Sequence, residues 1–219
     1  LWAGLEDAHQ DADTLVLNGD IFDFRWSEFC DEESSIEAAV TWIERIVEDS
    51  RWDTIHYIFG NHDCLASFQG QVERLAENHA ILRCHNDRLQ LGRCLFLHGD
   101  CTNYKMDDQA LARYRRAWSQ DRPRGAISKA LYHGADALGM SRRFHELYFP
   151  RPRSVGRIAH HLDHVMPGWQ QEIDHCYFGH THRPFRDYRH SGVRFHNTGS
   201  GIRGMGFLPL TFNTPITHT

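Results

Sequence analysis

The chain has 219 residues, a formal net charge of −5 and 41% apolar residues, enough apolar content for one domain with a sizeable core. Mean hydropathy is −0.57, and no run approaches the ~20 apolar residues of a membrane-crossing helix. The six cysteines form no C-x-x-C pair, which argues against a zinc ribbon or a thioredoxin-type motif and suits core filling in a reducing compartment.

The charge is uneven. Residues 1–100 hold 7 Lys+Arg against 20 Asp+Glu, residues 101–170 hold 12 against 6, and residues 171–219 hold 5 against 3. An acidic body with a basic middle suits an anionic ligand held under a cap; ordinary variation of surface charge is the alternative.

Residues 1–9 read as the end of a helix, with Leu1, Leu5 and Ala8 on one side. The apolar run Thr14-Leu15-Val16-Leu17 predicts a buried strand, followed by Asn18-Gly19-Asp20-Ile21-Phe22-Asp23. Ser34 opens a helix, with Glu37 completing a capping box and Ile36, Ala39, Val40, Ile43, Ile46 and Val47 forming one stripe. Residues 54–59 predict a strand ending at Gly60, 67–77 a short helix, and 80–84, 87–91 and 93–97 three further strands.

The basic segment 102–170 is helical by pattern, with helices near 106–119, 125–138 and 154–166, broken at Pro123, Pro150 and Pro152. It leaves one strand end and returns to another, the behaviour of an inserted cap over about 103–168 within a single domain of residues 1–219. Residues 176–178 predict a strand running into Gly179. Residues 184–189 and 193–197 predict a hairpin around Ser191-Gly192, and 206–212 predicts a last strand.

Polar clusters end four strands: Gly19-Asp20, Gly60-Asn61-His62-Asp63, His98-Gly99-Asp100 and Gly179-His180-Thr181-His182. Each alone fits an exposed turn. In series they fit a site, because open α/β sheets bind ligands at the C-terminal strand edge. Asp20, Asn61, His98, His180 and His182 offer carboxylate, amide and imidazole donors without thiolate, a set suited to Mn, Fe, Zn or Mg. A carboxylate can bridge two ions, and a pair ~3.5–4 Å apart is the usual phosphoryl-transfer clamp.

Gly-Asp-x-x-Asp over residues 19–23, Gly-Asn-His-Asp over 60–63, His98, and Gly-His-x-His over 179–182 resemble the motif series of the calcineurin-like metallophosphoesterases. The resemblance implies an α/β fold, a four-layer α/β/β/α sandwich, here with an inserted helical cap. It implies two divalent metal ions, manganese foremost. Asp20 would bridge them, Asn61, His98 and His180 would complete one site, and His182 would belong to the other. His62 would be the general acid or a charge stabiliser, oriented by Asp63, with Asp23 further out. The family's first motif, Asp-x-His, has only Asp7-Ala8-His9 as a match in letters; no apolar strand precedes it, and the expected motif lies upstream of Leu1.

The order His98-Gly99-Asp100, basic insertion, Gly179-His180-Thr181-His182-Arg183-Pro184 resembles the UDP-2,3-diacylglucosamine hydrolase branch, which cleaves a pyrophosphate bond in lipid A synthesis. Many members of that branch carry Arg where this chain has His62. The resemblance implies a small phosphorylated substrate, such as a nucleotide-linked glycolipid, a cytoplasmic location with peripheral membrane contact through the cap, and no nucleic-acid partner. Arg113, Arg115, Arg116, Arg142 and Arg143 would meet phosphates. Ile127, Leu131, Leu138, Phe144, Leu147 and Phe149 would meet acyl chains or pack the cap's own helices. A phosphatase or phosphodiesterase of another substrate, and a non-catalytic scaffold, are the alternatives.

Overall fold

The computed structural model describes residues 12–29, 31–49, 51–120, 124–125, 128, 134, 139–202 and 205–213. The first sheet has three parallel strands in the order β1 (Thr14–Asn18), β2 (Thr54–Ile58), β3 (Leu82–His85). The second has five, β4 (Arg88–Leu91), β5 (Cys94–Leu97), β6 (His175–Phe178), β7 (Phe185–His190) and β8 (Val193–Asn197), in the order β4-β5-β6-β8-β7. β5, β6 and β8 run parallel, and β4 and β7 add antiparallel edges.

The central strands are buried on both faces, and side chains of period two divide between different layers. Leu15 and Leu17 of β1 and Ile55 and Tyr57 of β2 face an outer core, where they meet helices α1 (Glu32–Glu48) and α2 (Ala66–Asn78). Val16 and Ile58 turn inward to meet Cys94, Phe96 and Tyr177 of the second sheet. Leu95, Leu97, Cys176 and Phe178 face the other outer core. There they pack under α3 (Asp108–Trp118), α5 (Arg151–Val165) and α6 (Trp169–Glu172). A further helix, α4 (Met140–Tyr148), precedes α5. The result is the four-layer α/β/β/α sandwich. The 103–168 segment accordingly divides: α5 is an integral outer layer, with Val155, Ile158 and Leu162 fully buried, whereas α4 exposes Met140, Phe144 and Leu147.

Several local expectations change. Helix α1 starts at Glu32, because the Asp31 side chain, not Ser34, caps it by accepting from the Ser34 amide at 2.7 Å. Pro152 starts α5 rather than breaking it, as proline is compatible with a first helical turn. Residues 206–212 form only an isolated Gly199–Phe207 bridge, and Leu210 and Phe212 pack against the inter-sheet core instead. The hairpin forms as expected, with positive φ at Ser191 and Gly192. The predicted helix end at 1–9, the Asp7-Ala8-His9 triplet and most of the predicted helix 125–138 lie outside the described residues.

Candidate metal centre

The C-terminal ends of β1, β2, β5 and β6 bring four potential ligands to one point. Asp20 Oδ2 lies 3.0 Å from His98 Nε2 and 4.0 Å from His180 Nδ1. His98 Nε2 is also 3.2 Å from His180 Nδ1 and 3.3 Å from Asn61 Oδ1. The Asp20, His98 and His180 ligand atoms all lie within 4.8 Å of one another. Ligand atoms about 2.1 Å from a divalent ion and at right angles about it are about 3.0 Å apart, so these spacings fit a cation.

The surroundings prepare the set. His98 Nδ1 lies 3.2 Å from the Asn18 carbonyl; donation there leaves the Nε2 lone pair for the centre, the usual arrangement behind a ligating histidine. His180 Nε2 lies 2.9 Å from the Asn103 side-chain amide. The same Asn103 nitrogen donates to the Asp100 carbonyl at 3.1 Å and to the Tyr114 hydroxyl at 2.8 Å, which fixes the amide beside the His180 ring. Burial opposes charge on His98, and the adjacent Asp20 carboxylate outweighs it and raises the pKa. Burial likewise opposes charge on Asp20, but His98, His62 and His180 together pull its pKa well down.

The backbone is held in unusual torsions to achieve this. Asp20, His180 and His182 have φ of 50°, 58° and 55°, a left-handed region that Asp, Asn and His tolerate best among residues with a Cβ. Gly60 is needed for a different reason: a Cβ there would lie 2.2 Å from Asp20 Oδ1. Asp20 Oδ1 itself accepts from the His62 amide at 2.7 Å.

The expected partner of His62 is corrected. Its Nδ1 lies 3.0 Å from Asp23 Oδ1, at ion-pair distance though without full hydrogen-bond alignment. Asp63 instead accepts from the Gly60 amide at 2.5 Å, the Tyr57 hydroxyl at 2.7 Å and the Ile21 amide at 3.2 Å. Those three bonds hold the turns that present Asp20 and Asn61. Burial opposes charge on His62, but Asp20 and Asp23 outweigh it and raise its pKa to about 9. Trp118 covers the His62 ring at 4.6 Å, and the Arg25 guanidinium lies 4.1 Å over Trp118.

Of the five arginines expected to meet phosphate, Arg115 is engaged elsewhere. Its Nε and Nη2 donate to the two oxygens of buried Asp100 at 2.6 and 2.9 Å, and its Nη1 donates to the Asn86 carbonyl. Its guanidinium braces the loop after His98. Arg113, Arg116, Arg142 and Arg143 are exposed, with Arg142 paired to Glu146 at 3.0 Å. Cys64 lies beside the centre, but burial foremost and Asp63 next push its thiol up to about 12, so it supplies no thiolate. Cys64, Cys84, Cys94, Cys101 and Cys176 are all free.

His182 lies outside the close group of Asp20, His98 and His180. Its Nδ1 is buried without a partner, and its ring stacks on His145 of α4 at 4.4 Å. Neither His145 nor Asn103 belongs to a motif, and no sequence signal marks them. Asp23 is marked by Gly-Asp-x-x-Asp and lies against His62 rather than among the convergent atoms.

This convergence at strand ends of a four-layer sandwich is matched by the family comparison. Residues 2–184 match the calcineurin-like phosphoesterase family; the chain belongs to it and is a metal-dependent phosphoesterase. A solved structure, the phosphopantetheinyl hydrolase PptH from Mycobacterium tuberculosis, is similar over 90% of this chain and 84% of its own at 11% identity, with a TM-score of 0.39. No curated protein matches the chain.

Proposed function

We propose that the chain hydrolyses a phosphoanhydride or phosphodiester bond with two divalent cations, manganese foremost, held about Asp20. The observation that supports this reading is the meeting of Asp20 Oδ2, Asn61 Oδ1, His98 Nε2 and His180 Nδ1 within one small volume, with His62 beside it. Bound cations would supply Lewis acidity and lower the pKa of water. Asp20, Asn61, His98 and His180 would hold one cation; Asp20 and His182 would contribute to the other. Asp23 occupies the Nδ1 edge of His62 and leaves Nε2 for the leaving oxygen or for developing phosphoryl charge. Trp118 shields that ring from water.

The specific substrate we favour is a UDP-2,3-diacylglucosamine-type pyrophosphate. The motif order supports this, as does the surface of α4, where exposed Met140, Phe144 and Leu147 lie among Arg142 and Arg143 beside the ligand loop. That surface also suits peripheral membrane contact. The test is hydrolysis by chelator-stripped protein supplied with Mn²⁺. Bis-p-nitrophenyl phosphate should be cleaved only with the metal, and Phe144→Ser with Leu147→Ser should raise KM for the glycolipid while sparing the small ester. No turnover and no bound metal with any divalent cation would sink the enzyme reading. Equal effects of the double variant on both substrates would sink the lipid reading.

A further inference from the structure

The χ2 torsion of histidine is broad, so an imidazole ring is aimed by what it touches and not by its rotamer alone. Three contacts bear on His62. Its amide donates to Asp20 Oδ1 at 2.7 Å, which fixes the main chain beneath the ring. Its Nδ1 lies 3.0 Å from Asp23 Oδ1 but without full hydrogen-bond alignment, and that oxygen also accepts from the Arg25 amide at 3.1 Å and the Trp26 amide at 3.4 Å. The edge contact therefore leaves the ring plane loosely defined. The third contact is the Trp118 indole, 4.6 Å from the imidazole between centroids with 45° between planes. This face contact is the one that limits rotation about χ2.

Two elements hold the indole in place. Helix α3 is anchored along one face: Leu111 is buried in the outer core, Tyr114 packs against that core, and Arg115 pairs with buried Asp100. Trp118 continues that face at i+7 from Leu111 and i+4 from Tyr114, and its ring lies 6.0 Å from that of Tyr114. From the loop after β1, the Arg25 guanidinium lies 4.1 Å over the indole centroid, a distance at which an aromatic face attracts a cation. The Arg124 amide, beyond α3, donates to the Arg25 carbonyl at 2.9 Å and ties the two segments together. One short loop thus supplies the edge contact of His62 through Asp23 and the grip on its cover through Arg25.

We infer that Trp118 is a positioning residue for His62: it fixes the imidazole plane so that Nε2 keeps one direction toward the reacting phosphoryl group. This rests on the phosphoesterase reading above, and it gives Trp118 a role beyond excluding water from the ring. It also makes α3, within the basic segment, a working part of the site.

The experiment is steady-state hydrolysis of bis-p-nitrophenyl phosphate by the full chain supplied with Mn²⁺, in a double-mutant cycle of Trp118→Leu with His62→Ala. Elemental analysis follows the metal and thermal unfolding follows the fold. A misplaced reacting group costs up to about a hundredfold in rate, so Trp118→Leu should lower kcat at least about tenfold and change KM less than about twofold. Metal content should stay at the wild-type level, and Trp118→Phe should recover most of the rate. In a His62→Ala chain, Trp118→Leu should lower kcat no further, because the tryptophan acts through the histidine. Crystal structures should show one His62 ring orientation in wild type and more than one in Trp118→Leu. If Trp118→Leu fails to fold, Trp118→Met carries the same cycle. An unchanged kcat, a loss confined to KM, an equal loss in both backgrounds, or one His62 orientation shared by both crystals would overturn the inference alone. A wild type that binds Mn²⁺ and hydrolyses no ester would overturn the phosphoesterase reading and the inference with it.

Discussion

His62 and Asp23 face each other at 3.0 Å, while Asp63, next to His62 in the chain, turns the other way to bind Gly60, Tyr57 and Ile21. The two carboxylates therefore do different work. Asp23→Asn should lower turnover roughly a hundredfold, the scale of a lost proton-transfer partner, and leave metal content and melting temperature near wild type. Asp63→Ala should instead cost about 3 kcal/mol or more, since it leaves several buried donors unpaired. Kinetics and thermal unfolding on both variants check this. A stable, inactive Asp63→Ala beside a fully active Asp23→Asn would reverse the assignment.

Arg115 and Asp100 form the second contrast. Both are largely buried, and Asp100 is held below the ordinary carboxylate range: burial opposes its charge, and Arg115 outweighs that burial. Arg115→Ala strands the carboxylate and should cost about 3–5 kcal/mol. Arg115→Ala with Asp100→Ala should recover part of that loss, because the stranded charge is gone. Denaturant unfolding reads both. If Arg115→Ala is as stable as wild type but shows a raised KM for phosphate substrates, the arginine serves the substrate after all.

Gly60→Ala tests the packing of the centre. The added methyl would meet Asp20 Oδ1 at 2.2 Å and the Asp20 amide at 2.6 Å, so Asp20 must move. We expect metal content to fall well below wild type, with stability reduced less than in Asp63→Ala. Normal metal content would show that the turn after β1 yields more easily than its torsions indicate.

Two histidine pairs away from the centre should add to acid sensitivity. His56 Nδ1 lies 2.9 Å from His85 Nε2, and His175 Nδ1 lies 2.9 Å from His196 Nε2. Burial first, then the partner histidine, lowers His56 and His196 from the ordinary 6.5 to about 4. Between those values the unfolded chain binds more protons than the folded one, so stability falls as pH drops from 6.5 toward 4. Melting temperature should decline through that window, and His56→Phe with His196→Phe should flatten the decline. An unaltered slope in the double variant would exclude both pairs as its source.

Much of the fold was legible because two-sided burial writes apolar runs. Leu15–Leu17, Ile55–Ile58 and Cys94–Leu97 each supply two layers at once, and each ends at a polar cluster. The candidate ligands were legible for the same reason: parallel strands deliver their C-terminal ends to one edge. What escaped depends on contacts distant in sequence. Asp100 selects Arg115 fifteen residues away, and Arg183 reaches back to Phe149 across thirty-four. Helix α4 was missed because its apolar side faces out, so its pattern does not announce the histidine on the other side.

The left-handed torsions of Asp20, His180 and His182 bear on how this centre could change over mutation. A backbone at φ near 50–60° penalises β-branched side chains strongly, so Val, Ile and Thr are closed to these positions whatever their chemistry. The tolerated alternatives are Asn, Asp, His and Gly, three of which still carry a donor. Changes that keep these torsions therefore lead mostly to another side chain with an oxygen or nitrogen donor, and a residue without one enters chiefly as glycine.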